Sequence, residues 1–159
     1  MNNNMFINAI LQVSPLLFGG ISGLTTRKEI DSWYSKLNAP AIKPPNYLFG
    51  PVWTTLYLMM GYASTIIYKS DHPLKTQALS VYIAQLLLNI MWTPIFFGKH
   101  NLSAALVNIV ALDVTVLYTI KLFLDVDVTA GYLLLPYMAW ISFATVLNFE
   151  FLRLNKDKK

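Results

Sequence analysis

No cysteine occurs in the 159 residues, which excludes disulfides, iron–sulfur ligation and thiol catalysis. Histidine is nearly as scarce, since His72 and His100 are the only two and sit in different polar connections. Charge is scarce as well: 13% of the residues are charged, against roughly a quarter in ordinary soluble domains. There is no Ser-His-Asp grouping, no metal-ligand spacing and no glycine-rich phosphate loop, so no conventional active site is legible. Internal repeats, low-complexity tracts and domain linkers are absent too. The missing repeat counts against a transporter built from inverted halves.

What fills the chain instead is apolar. Hydrophobic residues make up 55% of it, and the mean hydropathy is +0.48. A soluble domain this small cannot hide so much apolar surface from water, so the solvent is lipid. The net charge of +4 does not signal nucleic acid. The basic residues flank apolar runs and form no stripe with interleaved aromatics, a pattern that encodes membrane orientation.

A membrane-spanning helix needs about 20 largely apolar residues at about 1.5 Å each. Five stretches meet that length: about 5–26, 48–68, 76–98, 102–124 and 128–152. The expected architecture is therefore all-α, a single domain over 1–159 forming a five-helix integral membrane bundle. The first stretch lacks a basic n-region and is too long for a cleaved signal, so it is read as a retained span. With five spans, one face carries Lys69, Lys75 and Lys121. The other carries Arg27, Lys28, Lys36, Lys43, Lys99, Arg153, Lys156, Lys158 and Lys159. The positive-inside rule makes the richer face cytoplasmic, with the N-terminus outside and the C-terminus inside.

The 27–47 connection on that face is long and holds Trp33, Tyr34, Pro40, Pro44 and Pro45. Prolines fix φ and remove backbone donors, so this loop is stiff and suited to act as a lid. Three aromatic and polar stripes lie near it at helical spacing: Trp53, Tyr57, Met60 and Ser64; Gln85, Asn89, Trp92 and Phe96; Tyr137, Trp140, Ala144 and Asn148. Counting along the helix puts Trp53 roughly 7–8 Å inside its end, with Asn89 and Trp140 near mid-membrane. The stripes converge below the lid, either as packing or as a ligand pocket. In a pocket, Trp53 and Trp140 offer stacking surface and indole donors, Asn89 an amide, Ala144 room and Tyr34 a cover. Trp92 reads as packing or an interfacial anchor.

Asp113 is the one acid in mid-span, which requires a proton, a partner or a wet cavity. Lys121 lies about 12 Å away along the axis, too far to pair, and snorkels to the interface. Gly19 and Gly23 have GxxxG spacing, which suits a dimer or packing within the chain. Pro15, Pro94 and Pro136 are expected to bend their helices.

Three segments together resemble the translocator-protein family, also called tryptophan-rich sensory protein or peripheral-type benzodiazepine receptor. They are WYSKLNAPAIKPPNYLFGPVWTTLYLMMGYA (33–63), QLLLNIMWTPIFFG (85–98) and LPYMAWISFATVLNFEF (135–151). The resemblance spans the chain and implies a dimeric five-helix bundle binding porphyrins such as protoporphyrin IX and haem, as ligand or substrate. It also implies sterols and synthetic benzodiazepine-type or isoquinoline carboxamide ligands, and in bacterial members light-dependent porphyrin breakdown. No permanently bound cofactor or metal is implied. The ligand-binding set is then Tyr34, Trp53, Tyr57, Gln85, Asn89, Trp140, Ala144 and Asn148, with Trp53 and Trp140 as photochemical candidates. The family's sterol pattern is incomplete here: Leu147 and Arg153 flank Phe149, where a tyrosine belongs. The alternatives to a tetrapyrrole-binding receptor are a porphyrin or sterol carrier and a stress sensor acting through a partner. A bacterial plasma membrane is favoured over a mitochondrial outer membrane.

Overall fold

The structure is a computed structural model that describes residues 10–17, 19, 20, 26, 29, 30 and 32–156. Much of the first expected span, Gly23, and the basic residues Arg27, Lys28, Lys158 and Lys159 lie outside the described residues. Within the described residues every regular element is helical. Helix α1 covers 10–17. It is followed by α2 (Phe49–Lys69), α3 (Lys75–Thr93), α4 (Leu102–Val126), α5 (Val128–Leu133) and α6 (Leu135–Leu154), the last two forming one interrupted rod. Five helical rods therefore pack together, as the apolar runs predict.

The prolines break the ladder in two different ways. Pro94 lacks the N–H that the preceding turn needs, and α3 widens there into a π-helical turn, Pro94–Gly98, closed by Lys99 N–H donating to Pro94 O at 2.9 Å. Pro136, just inside α6, removes the next donor, and the rod is interrupted at Leu134. Leu134 N–H closes a tight turn on Gly131 O at 3.1 Å. Side-chain caps start the neighbouring helices. Asn101 Oδ1 accepts from Ala104 N–H at 2.9 Å for α4, and Asp127 Oδ1 accepts from Ala130 N–H at 2.9 Å for α5.

Lys75–Gly98, Leu102–Val126 and Val128–Leu154 are long and apolar enough to cross a membrane. Helix α2 matches them in length at 21 residues. Its Trp, Tyr, Thr, Ser and Gly residues keep it less apolar than the other three. The outer surface is greasy: Leu58, Leu87, Val107, Val114 and Val146 are each more than half exposed. Such side chains suit acyl chains and not water. This is a membrane protein.

Lipid supplies no hydrophobic drive between helices, so close packing holds them together. Met60, Ile67, Tyr82, Val116, Phe123, Tyr137 and Ile141 form the centre, none more than 1% exposed. Glycine permits the tightest approach. A Cβ on Gly61 of α2 would stand 2.6 Å from Gln12 O of α1, and one on Gly19 would overlap the Tyr57 ring. Gly19 is thus accounted for by packing within the chain.

The lid is pinned at both sides. Trp33 stacks on His100 at 4.3 Å, and Glu29 accepts from His100 Nε2 at 3.0 Å. Across the bundle, Asn38 N–H donates to Asn155 Oδ1 at 2.9 Å, and Asn155 Nδ2 donates to Asn38 O at 3.0 Å. Asn38 Nδ2 adds a bond to Leu154 O at 3.1 Å. Between these anchors Tyr34 is buried among Phe96, Phe97 and Phe151, with Lys43 Nζ 4.6 Å above its ring.

Candidate functional site: an aromatic cavity under the lid

Below Tyr34 the bundle encloses a cavity of about 640 Å³. Its walls come from α1, α2, α3, α4, α6, the π turn and the lid. Seven of the eight residues singled out above line it: Tyr34, Trp53, Tyr57, Asn89, Trp140, Ala144 and Asn148. The eighth, Gln85, is 1% exposed and stands outside the lining. It shares a helical face with Asn89, yet one turn of about 5.4 Å carries it below the floor.

Trp92, read from the sequence as packing or an interfacial anchor, does pack against the core and also lines the cavity. It stacks on Phe96 at 4.7 Å, and its Nε1 donates to Asn148 Oδ1 at 3.1 Å. The spacing of Gln85, Asn89, Trp92 and Phe96 carried that signal. Tyr137 was placed on its stripe but not in the set, and it proves a fully buried hub, bonded to Asn89 and Gln85.

The amides of the wall are already committed. Asn148 Nδ2 donates to Leu102 O at 3.0 Å while its oxygen takes the Trp92 indole. Asn89 Oδ1 accepts from the Tyr57 hydroxyl at 2.9 Å, and Asn89 Nδ2 donates to Tyr137 at 3.1 Å. The two tryptophans of interest differ. Trp53 lies over Tyr57 at 5.2 Å with 24° between the planes, and Trp140 meets Phe49 edge-on at 6.0 Å. Among the described residues neither indole N–H has an acceptor. A half-buried donor at a cavity wall without a protein partner is available to a guest. Burial pushes the Tyr34 phenol above its ordinary value, so the cover stays neutral.

Asp113 sits away from the cavity. Its Oδ2 accepts from Thr145 at 2.7 Å, and its Oδ1 is buried with no partner among the described residues. Lys121 pairs with Asp125 at 2.9 Å and not with Asp113. Among the described residues no group of three or more His, Cys, Asp or Glu is placed to hold a metal.

Fold and site together define a helical membrane protein with an aromatic cavity beneath an anchored loop. The sequence matches the TspO/MBR family over residues 11–154. It is 37% identical over 155 residues to the tryptophan-rich protein TspO of Archaeoglobus fulgidus, covering 98% of this chain and 99% of that one. It is 40% identical over 128 residues to the tryptophan-rich sensory protein of Cereibacter sphaeroides, 80% of each chain. Against the human translocator protein the identity is 39% over 120 residues, 74% of this chain and 71% of that one. The chain belongs to the TspO/MBR family.

Proposed function

We propose that the cavity binds tetrapyrroles, protoporphyrin IX and haem among them, and that it also accepts benzodiazepine-type and isoquinoline carboxamide ligands. The single observation that carries this reading is the pair of uncommitted indole donors, Trp53 and Trp140, on the wall of one aromatic cavity. A planar conjugated pigment needs stacking surface and a few donors to fix its orientation, and indoles supply both. The cavity's 640 Å³ falls within the roughly 300–1,000 Å³ that ligand pockets occupy.

Under illumination, bound protoporphyrin is oxidised by dioxygen, which takes up the electrons, while Trp53 and Trp140 hold the pigment between their indoles. The pigment and light supply the chemistry, and the protein positions and shields. Purified protein with protoporphyrin in light should deplete the pigment faster than Trp53→Phe or Trp140→Phe does. Equal loss in all three would remove the photochemical part. Tryptophan fluorescence quenching, recorded alongside, reports binding itself.

The lid end is assigned to the cytoplasm on the lysine and arginine bias, in a bacterial plasma membrane and as a homodimer. A porphyrin or sterol carrier is the second reading. The packed centre around Met60, Val116 and Phe123, none of them measurably exposed, disfavours it because it closes the half of the bundle opposite the lid. Sealed proteoliposomes moving labelled porphyrin in the dark would reverse that preference.

A further inference from the structure

Three hydrogen bonds run end to end from the cavity wall into the bundle. Tyr57 donates to Asn89 Oδ1 at 2.9 Å, Asn89 Nδ2 to Tyr137 at 3.1 Å, and Tyr137 to Gln85 Oε1 at 2.9 Å. Tyr57 and Asn89 line the cavity, while Tyr137 and Gln85 do not. At the far end, Gln85 Nε2 is buried with no hydrogen-bond partner among the described residues, and the Tyr82 hydroxyl lies beside Ser64, whose own hydroxyl donates to Gly61 O. Tyr82 and Gln85 are three residues apart, on one face of α3.

The chain can run either way. A phenol hydroxyl both donates and accepts, and a carboxamide presents an oxygen and an NH₂ group of nearly equal size. Turning both amides over reverses every bond: each oxygen and nitrogen exchange places, and the positions filled by heavy atoms stay the same. Gln85 then donates to Tyr137, Tyr137 to Asn89, and Asn89 to Tyr57. Each polarity makes three bonds, so the difference lies at the ends. In the first polarity the Tyr57 proton is committed and its oxygen is left to accept from the cavity. In the reverse polarity that proton is free to donate into the cavity. A fixed acceptor or donor beyond Gln85 would select one polarity, and the open end there selects neither.

We propose that this relay sets the specificity of the cavity. Gln85, a positioning residue that touches no ligand, decides whether the wall accepts or donates. One site thereby takes both N–H-bearing and carbonyl-bearing planar ligands. The inference rests on the cavity being a ligand site.

Two substitutions at Gln85 should act in opposite directions. In Gln85→Glu the ionised carboxylate only accepts, which makes Tyr137 its donor and leaves Tyr57 as an acceptor toward the cavity. In Gln85→Met, Tyr137 has no acceptor but Asn89, which reverses the chain and frees the Tyr57 proton. The probes are a tertiary isoquinoline carboxamide, which only accepts, and carbazole, a planar N–H compound that only donates, with metal-free protoporphyrin measured alongside for binding alone. Their dissociation constants are measured in detergent from about pH 5 to about pH 9. Tyr57, Tyr82 and Asp113 are the titratable groups that act on Tyr137, the partner of Gln85; the unaltered chain carries all of them, so its pH profile is the control.

In Gln85→Met the preference for carboxamide over carbazole should rise about tenfold, the effect of one hydrogen bond. In Gln85→Glu it should fall by a similar factor as pH rises, relative to that control. Ratios that move the same way in both variants, or do not move, would overturn the relay. Where Gln85→Glu does not fold, the ratio in Gln85→Met alone decides. If the unaltered chain binds carboxamide but no porphyrin, the tetrapyrrole reading falls. Carboxamide affinity then still tests the relay, by rising in Gln85→Met and falling in Gln85→Glu. If it binds neither, both are overturned.

Discussion

Replacing Asn155 should loosen the lid by an amount that the structure allows to be worked out. Asn155 is 4% exposed and makes two bonds to the loop, one from Asn38 N–H and one to Asn38 O. At about 1 kcal/mol net for each, Asn155→Ala removes about 2 kcal/mol of closure. At 1.4 kcal/mol per factor of ten, the open population rises about 30-fold. Amides that exchange through lid opening, such as those of Leu37 and Lys43, should then exchange about 30-fold faster with deuterium, while α4 stays unchanged. Asn155→Asp keeps the acceptor and loses the donor, so it should give about a fivefold acceleration. A ligand that leaves under the lid should dissociate faster by the same factors. Unchanged loop exchange in Asn155→Ala would refute the anchoring argument. Equal acceleration in α4 would show that the substitution had loosened the whole bundle instead.

Other substitutions test the packing and charge of the bundle. Gly61→Ala should lower stability by about 1–3 kcal/mol in a detergent melt, because the new methyl meets the Gln12 backbone at 2.6 Å. Gly50→Ala, where a Cβ meets nothing within 4 Å, is its control, and equal melting of the two would sink the close-approach argument. Asp113→Asn keeps the acceptor for Thr145 and removes a carboxyl whose second oxygen has no partner, so the melting temperature should hold or rise. A drop of more than about 4 °C would contradict this. The Glu29 carboxyl is held below its ordinary 4.5, chiefly by the His100 hydrogen bond and then by that from Ser32. Stabilisation by such a depressed carboxyl is present above 4.5 and lost as pH falls through its folded value, so the protection of loop amides, taken relative to their intrinsic exchange at each pH, should fall in acid. Glu29→Gln should abolish that dependence.

Much of the site was legible because helical spacing reports which residues share a face. Spacing alone brought the stripes through Trp53, Asn89 and Trp140 together below the loop, as packing or as a pocket. Spacing does not report where along a face a hollow ends, which is why Gln85 was grouped with Asn89 although it lies a turn beyond the floor. Nor does it separate a packing ring from a wall, and Trp92 is both. The prolines at 94 and 136 were legible as bends. Whether a bend becomes a π turn or a break depends on which backbone groups find new partners, a tertiary matter. The lid anchors gave no signal at all, since Asn38 and Asn155 are separated by 117 residues and neither belongs to a periodic pattern.

A polar group inside a membrane protein is costly unless bonded, and the buried amides Gln85, Asn89 and Asn148 each bond another element. Asn148 fastens α6 to the start of α4 and to Trp92, and Asn89 ties α3 to α2 and α6. These bonds hold helices together where lipid offers no hydrophobic drive, and they remove the amides from direct competition for a ligand. The indoles of Trp53 and Trp140 can stay unpartnered at lower cost, because each has a large apolar body and a single donor at its edge. In the proposed site, recognition therefore falls to the tryptophans and to the one end of the Tyr57 chain that reaches the cavity, and scaffold and contact become separable by mutation.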